Sequence, residues 1–184
     1  MGGAWLARLA PLVAGMQACA SDAMREGLDF TTFTVREAAD FDAFAARIVP
    51  TDDTPGAREA GSVYFADHAL GTVLSDLLPI VRQGLAQMNE RATSALSSDA
   101  PFADLPPARQ DEIITATETA DPGFFFFART LVLLGLVGDP AYGGNRDAIG
   151  WDLLGFDTSF RHEPPFGYYD RDEHGEEPGS GADR

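Results

Sequence analysis

Apolar residues in the central part of the chain recur every three to four positions, which is the spacing of one helix face. The clearest case is residues 35–48, whose apolar side is formed by Phe41, Phe44, Ala45 and Ile48. Thr34 and Glu37, three positions apart, have the form of a capping box. The pattern therefore predicts a helix over residues 35–48, ended by Pro50.

A turn rich in Asp, Thr, Pro and Gly follows at residues 51–56. Its Asp and Thr oxygens are suited to cap what comes next, and Pro55 suits a first helical position. We predict a second helix over residues 60–70. Its buried face is expected to consist of Val63, Tyr64, Ala66 and Leu70.

Two further helices are predicted before residue 120. The third is long and accommodates Pro79 in an early turn; its apolar positions are Leu74, Leu77, Leu78, Val81, Leu85 and Met88. Residues 93–107 have a loop composition, and Asp104 is expected to cap the fourth helix just before two prolines. Ile113 and Ile114 are expected to anchor that helix.

A phenylalanine-rich helix is predicted next, opened by the sequence Asp-Pro-Gly at residues 121–123. It is apolar on nearly every side, with Phe124, Phe125, Phe126, Phe127, Leu131, Val132, Leu133, Leu134, Leu136 and Val137. It is shorter than the roughly 20 residues that cross a bilayer, and Arg129 interrupts it. We therefore expect it to lie in a core or between partners. Arg129 must then find an acid or carbonyl groups, within the fold or across an interface.

The segment after this helix contains the glycines and the asparagine that stop it: Gly138, Gly143, Gly144 and Asn145. Trp151 and Phe156 offer large apolar surfaces just beyond the turn. Two interpretations have equal weight. The segment is a tight turn that folds Trp151 back onto the helix, or it is a surface loop shaped for a partner.

No stretch of alternating β-branched residues occurs, so the fold class predicted is mainly α. We expect a single helical domain over residues 33–156. Residues 157–184 are rich in Pro, Gly, Asp and Glu and are predicted to be an extended, acidic tail. Within it, the aromatic stretch at residues 164–169 is a candidate strap across the domain or a partner.

Composition excludes several function classes. The 13 basic side chains, all of them arginine, stand against 29 acids, and the net charge of −16 argues against nucleic-acid binding. Without lysine there is neither a phosphate-loop lysine nor a Schiff-base lysine. Cys19 is the single cysteine, which rules out an internal disulfide and cysteine-ligated clusters. No G-x-G-x-x-G motif occurs, so a dinucleotide-binding fingerprint is not supported. Together with the missing lysine and the single cysteine, this leads us to expect no cofactor bound by this chain.

Several single residues allow a catalytic or metal-binding interpretation, and each also has a simpler structural one. The three histidines lack the spacing of a metal motif, and His68 is expected to be a surface residue; no metal site is predicted. Asp52 and Asp53 are a possible carboxylate pair, although capping of the turn explains them more simply. An enzyme site assembled from Asp52, Asp53 and His68 remains the weakest hypothesis, and no catalytic residue is predicted.

Residues 1–20 resemble an export signal, with an apolar stretch that ends in Ala-Cys-Ala around Cys19. Arg8 is the one positive charge in this stretch. The alternative is an ordinary apolar N-terminal helix. A lipid-modified Cys19 is disfavoured because Met, Gln and Ala precede it. No transmembrane span is expected in the mature chain.

Three segments together resemble the gluconate 2-dehydrogenase subunit 3 family. They are RIVPTDDTPGA at residues 47–57, Gly61 with VYFAD at residues 63–67, and DPAYGGN at residues 139–145 leading to Gly150-Trp151. The resemblance covers most of residues 33–156. It rests on the order of these segments and on the helices between them.

The resemblance implies a helical, cofactor-free small subunit of a membrane-bound, flavin-dependent sugar or sugar-acid dehydrogenase. Its partner would be a large flavoprotein that carries FAD, and a multihaem cytochrome c with haem c is a possible third subunit. It also implies export to the periplasm or the periplasmic face of the inner membrane, where small subunits escort the flavoprotein. A twin-arginine signal is typical of such subunits, whereas residues 1–20 show only apolar and cleavage-like portions.

A partner interface is therefore expected on aromatic and arginine side chains around the glycine loop and in the tail. The candidates are Arg129, Tyr142, Asn145, Trp151, Phe166, Tyr168 and Tyr169. The alternative hypothesis is a stand-alone exported binding or scaffold protein that reuses the helical fold without a dehydrogenase partner.

Overall fold

The computed structural model describes residues 30–96 and 100–156. Within these ranges the chain forms α-helices joined by turns and short 3-10 helices, and no strand occurs there, which confirms the mainly α prediction. The α-helices are α1 (Val35–Ile48), α2 (Ser62–Gly71), α3 (Leu78–Leu96), α4 (Pro107–Ala120), α5 (Pro122–Val137) and α6 (Ile149–Leu154). The predicted export segment and tail lie outside the described residues.

The start of α1 confirms the capping box. The Thr34 hydroxyl accepts a hydrogen bond from the Glu37 backbone N–H at 3.2 Å, and the Glu37 carboxylate accepts one from the Thr34 N–H at 2.8 Å. These two bonds satisfy donors that a helix end otherwise leaves free. The helix ends at Ile48, as its sequence predicts.

The start of α2 differs from the prediction. It begins at Ser62 after Gly61, which adopts a left-handed backbone with φ of 70°. Pro55 lies in the preceding turn instead of at a first helical position. Asp52 closes that turn by accepting hydrogen bonds from Thr54 N and Oγ1, both at 2.9 Å. The Asp oxygen therefore stabilises the turn locally and caps no helix.

Helices α3 and α4 also begin later than their patterns suggest. A 3-10 turn at Ser75–Leu77, with Leu74 as its N-cap residue, precedes α3. The first two predicted apolar positions, Leu74 and Leu77, therefore lie before the helix. Asp104 is exposed at the end of a second 3-10 turn, Phe102–Asp104, and does not cap α4; Pro106 is the N-cap residue and provides no side-chain bond. Ile113 and Ile114 are buried, as expected.

Helix α5 lies at the centre of the packing and contacts α1, α2, α3, α4 and α6. Asp121 caps it by accepting from the Phe124 N–H at 3.0 Å. A chain of phenylalanine rings forms the core, with centroids 5.6 Å apart for Phe33–Phe41, 6.2 Å for Phe41–Phe44 and 6.4 Å for Phe44–Phe124. Among the helices of the described residues, none has the length and apolar character of a membrane span.

Candidate functional site

The segment from Asp139 to Trp151, here called the glycine loop, leaves the C-terminal end of α5. Asp139 accepts a hydrogen bond from the Ala141 N–H at 2.9 Å and starts a 3-10 turn at Pro140–Tyr142. Gly143 follows with φ of 96°, a backbone conformation that residues with a Cβ rarely adopt. The loop therefore reverses direction immediately after the helix.

Glycines allow the loop to lie directly against the α5 backbone. A Cβ on Gly144 would sit 2.1 Å from the Gly135 carbonyl oxygen, and one on Gly150 would sit 1.9 Å from the Leu136 carbonyl oxygen. On its other side, Gly135 packs against Ser62 of α2, where a Cβ would come within 2.8 Å of the Ser62 Cα. Side chains at these positions would force the loop and α2 away from α5.

Asn145 lies in the interior of this junction. Its backbone N–H donates to the Gly135 carbonyl at 2.6 Å, its Nδ2 donates to the Gly138 carbonyl at 2.8 Å, and its Oδ1 accepts from the Gly150 N–H at 2.7 Å. The residue is 0% exposed. The expectation that Asn145 contacts a partner is therefore wrong for this conformation, because its amide is used up in holding the loop closed.

Trp151 folds back onto the end of α5, which confirms the tight-turn interpretation of this segment. Its indole Nε1 donates to the carbonyl of Val137 at 2.9 Å. Its ring lies against that of Phe156, with centroids 5.5 Å apart. Trp151 and Tyr142 are both half-buried, so each keeps part of its ring at the surface. The interpretation as a partner surface stays a prediction.

Arg146 ties the glycine loop to α2. Its backbone N–H donates to the Ala60 carbonyl at 3.0 Å, and its guanidinium lies over the Tyr64 ring at 4.1 Å from the centroid. Tyr64 also stacks on Phe30, with centroids 5.1 Å apart. The Arg146 Nε is buried and makes no hydrogen bond. The cation–π contact is thus its main stabilising interaction here.

Asp67 of α2 has a role that the sequence reasoning missed. It is 5% exposed and accepts four hydrogen bonds from the bend at residues 31–33 before α1. Thr31 donates through its N–H and its hydroxyl to Oδ2, both at 2.9 Å, while Thr32 N and Phe33 N donate to Oδ1 at 2.9 and 2.6 Å. The sequence did contain a signal for this role, because Asp67 lies on the predicted apolar face of the helix. A charge buried there requires hydrogen-bond partners.

A second buried carboxylate was missed in the same way. Asp40 of α1 is 1% exposed and accepts from Arg36 Nε at 2.9 Å, Asn89 Nδ2 at 2.7 Å and the Ala103 N–H at 3.0 Å. Asn89 in turn accepts from the Phe102 N–H at 2.9 Å. This network joins α1, α3 and the turn before α4, and its acceptors are satisfied within the fold.

The turn at residues 51–56 is held by two acids, Asp52 within it and Glu59 just after it. Glu59 accepts hydrogen bonds from the Thr51 hydroxyl at 2.6 Å and the Gly56 N–H at 2.9 Å, and these bonds lower the pKa of its carboxyl group. The backbone and hydroxyl bonds from Thr54 lower the pKa of Asp52. Both groups are therefore held in their charged, accepting form, as structural residues of a turn are.

His68 is not the surface residue that the sequence suggested. It is half-buried on α2, and its Nε2 is enclosed without a hydrogen-bond partner. Burial lowers the pKa of this imidazole, and the neighbouring Asp67 carboxylate partly opposes the shift. Asp52 and Asp53 are exposed, and among the described residues no hydrogen bond joins either carboxylate to His68.

The described residues bring few chemical groups together elsewhere. They contain no group of three or more His, Cys, Asp and Glu side chains arranged to hold a metal ion. A surface depression of about 270 Å³ beside α6 is lined by Pro55, Ile149, Asp152 and Leu153. One carboxylate among three apolar side chains provides neither a metal ligand set nor an acid–base pair.

The candidate interface residues therefore divide into three groups. Arg129, Tyr142 and Trp151 are exposed or half-buried, so they are available to a partner. Asn145 is internal. Phe166, Tyr168 and Tyr169 lie outside the described residues. The interface itself stays a prediction.

Comparison with known proteins gives the chain its family. Residues 35–157 match the sequence profile of gluconate 2-dehydrogenase subunit 3. No curated protein and no solved structure matched the chain. The match spans α1 to α6, including the turn at residues 51–56, the buried Asp67 and the glycine loop. It covers well over half of the sequence and confirms the resemblance drawn from the three motifs, so the chain belongs to the gluconate 2-dehydrogenase subunit 3 family.

Proposed function

We propose that this chain is a non-catalytic small subunit that supports the assembly, stability and export of the flavoprotein subunit of a gluconate or sugar dehydrogenase. Family membership indicates an accessory subunit of a dehydrogenase complex. That match, over residues 35–157, is the observation that carries the proposal. In the proposed complex FAD belongs to the flavoprotein, haem c to a possible third subunit, and the assembly works at the periplasmic face of the inner membrane.

The use of polar groups in the matched segments supports an accessory role. Asp67 directs its carboxylate at backbone N–H groups, and Asn145 directs its amide at the α5 end and the α6 start. Glu59 does the same for its turn. These polar side chains thus form hydrogen bonds with the backbone of the fold itself, whereas a catalytic group must be free to reach a substrate.

The test is co-expression with a candidate flavoprotein dehydrogenase subunit from the same organism. We expect the chain alone to show no flavin absorbance and no dye-linked sugar oxidation, and co-expression to yield a complex that has both. Flavoprotein expressed without the chain should accumulate less in the periplasm, which fractionation measures. Stoichiometric flavin on the isolated chain would contradict the proposal, and failure to associate with any flavoprotein would favour a stand-alone binding protein.

A further inference from the structure

Helix α5 is apolar on two opposite faces. One face is in the core and carries Phe124, Ala128, Leu131, Val132 and Gly135. The opposite face, here called the outer face, is formed by Phe126, Arg129, Thr130, Leu133, Leu134 and Val137. Phe126 is 69% exposed and Leu134 is 45% exposed. The described fold thus covers only half of a helix whose composition is that of a fully buried one.

Neighbouring helices show the ordinary arrangement. The exposed side of α4 carries Asp111, Glu112, Thr115, Glu118 and Thr119, and its buried side carries Ile113 and Ile114. Such a helix is amphipathic because one side meets water. The outer face of α5 is mostly apolar instead, since Arg129 and Thr130 are its only polar members among the six residues named above, and clustered exposed apolar side chains mark an interaction surface.

Arg129 indicates what the partner surface contains. Five arginines of the described residues pair with acids, namely Arg36, Arg47, Arg58, Arg82 and Arg109. Arg146 lies over Tyr64, and Arg91 has one guanidinium nitrogen enclosed. Arg129 is exposed, three positions from Phe126, and no acid of the described residues pairs with it. In a chain with this excess of acids, its position beside exposed apolar groups suits a carboxylate on another surface.

We propose that the outer face of α5 is the surface that docks on the flavoprotein dehydrogenase subunit. The matching surface of that subunit is apolar and carries a carboxylate that receives the Arg129 guanidinium. This inference rests on the proposed function, since family membership supplies the dehydrogenase complex as the partner. A single exposed helix face with an aromatic anchor and an arginine has the composition of an interface hot spot.

Photo-crosslinking in the intact complex tests the assignment. The full chain carries p-benzoylphenylalanine in place of Phe126 and is co-expressed with the flavoprotein that it binds in the co-expression test above. Val35, which is 84% exposed on α1, is replaced in the matched control. We expect crosslinks from position 126 to the flavoprotein and far fewer from position 35. Crosslinks from position 126 to residues 157–184 of the same chain, or to a second copy of the chain, would overturn the proposal.

Two substitutions give a quantitative readout. Phe126→Ser and Arg129→Glu are each expected to weaken binding of the flavoprotein by at least about tenfold, the effect of losing a hot-spot side chain. Arg109→Glu makes the same change in net charge on α4 and should leave binding within about twofold. If the wild-type chain binds and both variants bind equally well, this assignment fails while the proposed function stands. If the wild-type chain does not bind the flavoprotein, both fail.

Discussion

At the scale of single residues, the fold depends on polar side chains that lie in apolar surroundings. Asp67 is the clearest case, because one carboxylate holds three consecutive backbone N–H groups and a hydroxyl. These donors belong to the segment that leads into α1, so Asp67 positions α1 against α2. An ionised acceptor forms stronger hydrogen bonds than a neutral one. Replacing it therefore costs more free energy of folding.

Replacing this carboxylate by an amide is therefore expected to be costly. Asp67→Asn removes the charge and turns an NH₂ group toward N–H donors, which leaves buried donors unsatisfied. We expect the free energy of unfolding, measured by urea denaturation, to fall by about 3 kcal/mol. Asp76→Asn, at an exposed position, should change it by less than about 0.5 kcal/mol. Equal effects of the two substitutions would show that the Asp67 hydrogen bonds contribute little to the free energy of unfolding.

The glycine loop allows a similar test of close backbone contact. Gly144→Ala places a methyl group 2.1 Å from the Gly135 carbonyl oxygen, which cannot move without shifting α5. We expect thermal and urea unfolding to show a loss of about 2 kcal/mol or more. Gly123→Ala is the control, because its Cβ would meet only the Asp121 Oδ1 at 3.6 Å. That variant should be neutral or slightly more stable.

Because the His68 imidazole is half-buried, we expect the free energy of unfolding to depend on pH. Burial lowers its pKa in the folded chain, so below about pH 6.5 the unfolded chain takes up the proton more readily. The contribution of this group to stability is complete above that pH and is lost as the pH falls through the folded-state pKa. We expect the unfolding free energy to decrease less between about pH 7 and pH 5.5 in His68→Gln than in the wild type. Identical pH profiles would refute this.

At the scale of whole elements, α5 performs two tasks on opposite sides. Its core face contacts most of the other helices and carries Gly135, where α2 and the glycine loop approach on either side. Its outer face leaves Phe126 and Leu134 exposed among the described residues. The nearly continuous apolar composition of the helix, which in the sequence indicated a core or an interface, thus corresponds to a core on one face, and the proposed docking surface would account for the other.

Alanine substitutions separate the two faces. Phe124 is 1% exposed and packs against Phe44, so Phe124→Ala should lower the unfolding free energy by about 3–5 kcal/mol through the lost contacts and the cavity that remains. Phe126→Ala removes a ring that is mostly in water and should change stability by less than about 1 kcal/mol. Denaturation curves of the two proteins measure the difference. Comparable losses would mean that the outer face is packed in solution.

At the scale of the whole molecule, charge and fold have separate consequences. The net charge of −16 favours solubility and approach to a basic surface, but it does not specify the helices. In the fold, the three motifs that identify the family have a structural role, because they connect and position the helices. Under the function proposed above, the chain would contribute to a dehydrogenase complex by the surface that it presents, so the expected loss on its removal is assembly of the flavoprotein.

The sequence by itself determined the helical class through its periodicity, the cap of α1 through Thr34 and Glu37, and the family through three motifs, because each of these depends on neighbours within a few positions or on fixed motifs. Element starts such as that of α2 were displaced because Gly61 adopts a left-handed backbone that no periodic pattern reveals. Only the tertiary structure decided the roles of Asp67, Asp40 and Asn145, since their partners lie far along the chain or depend on how the backbone folds back. It also decided which side of α5 is exposed, because this helix is apolar on nearly every side and only Arg129 and Thr130 distinguish its outer face in the sequence.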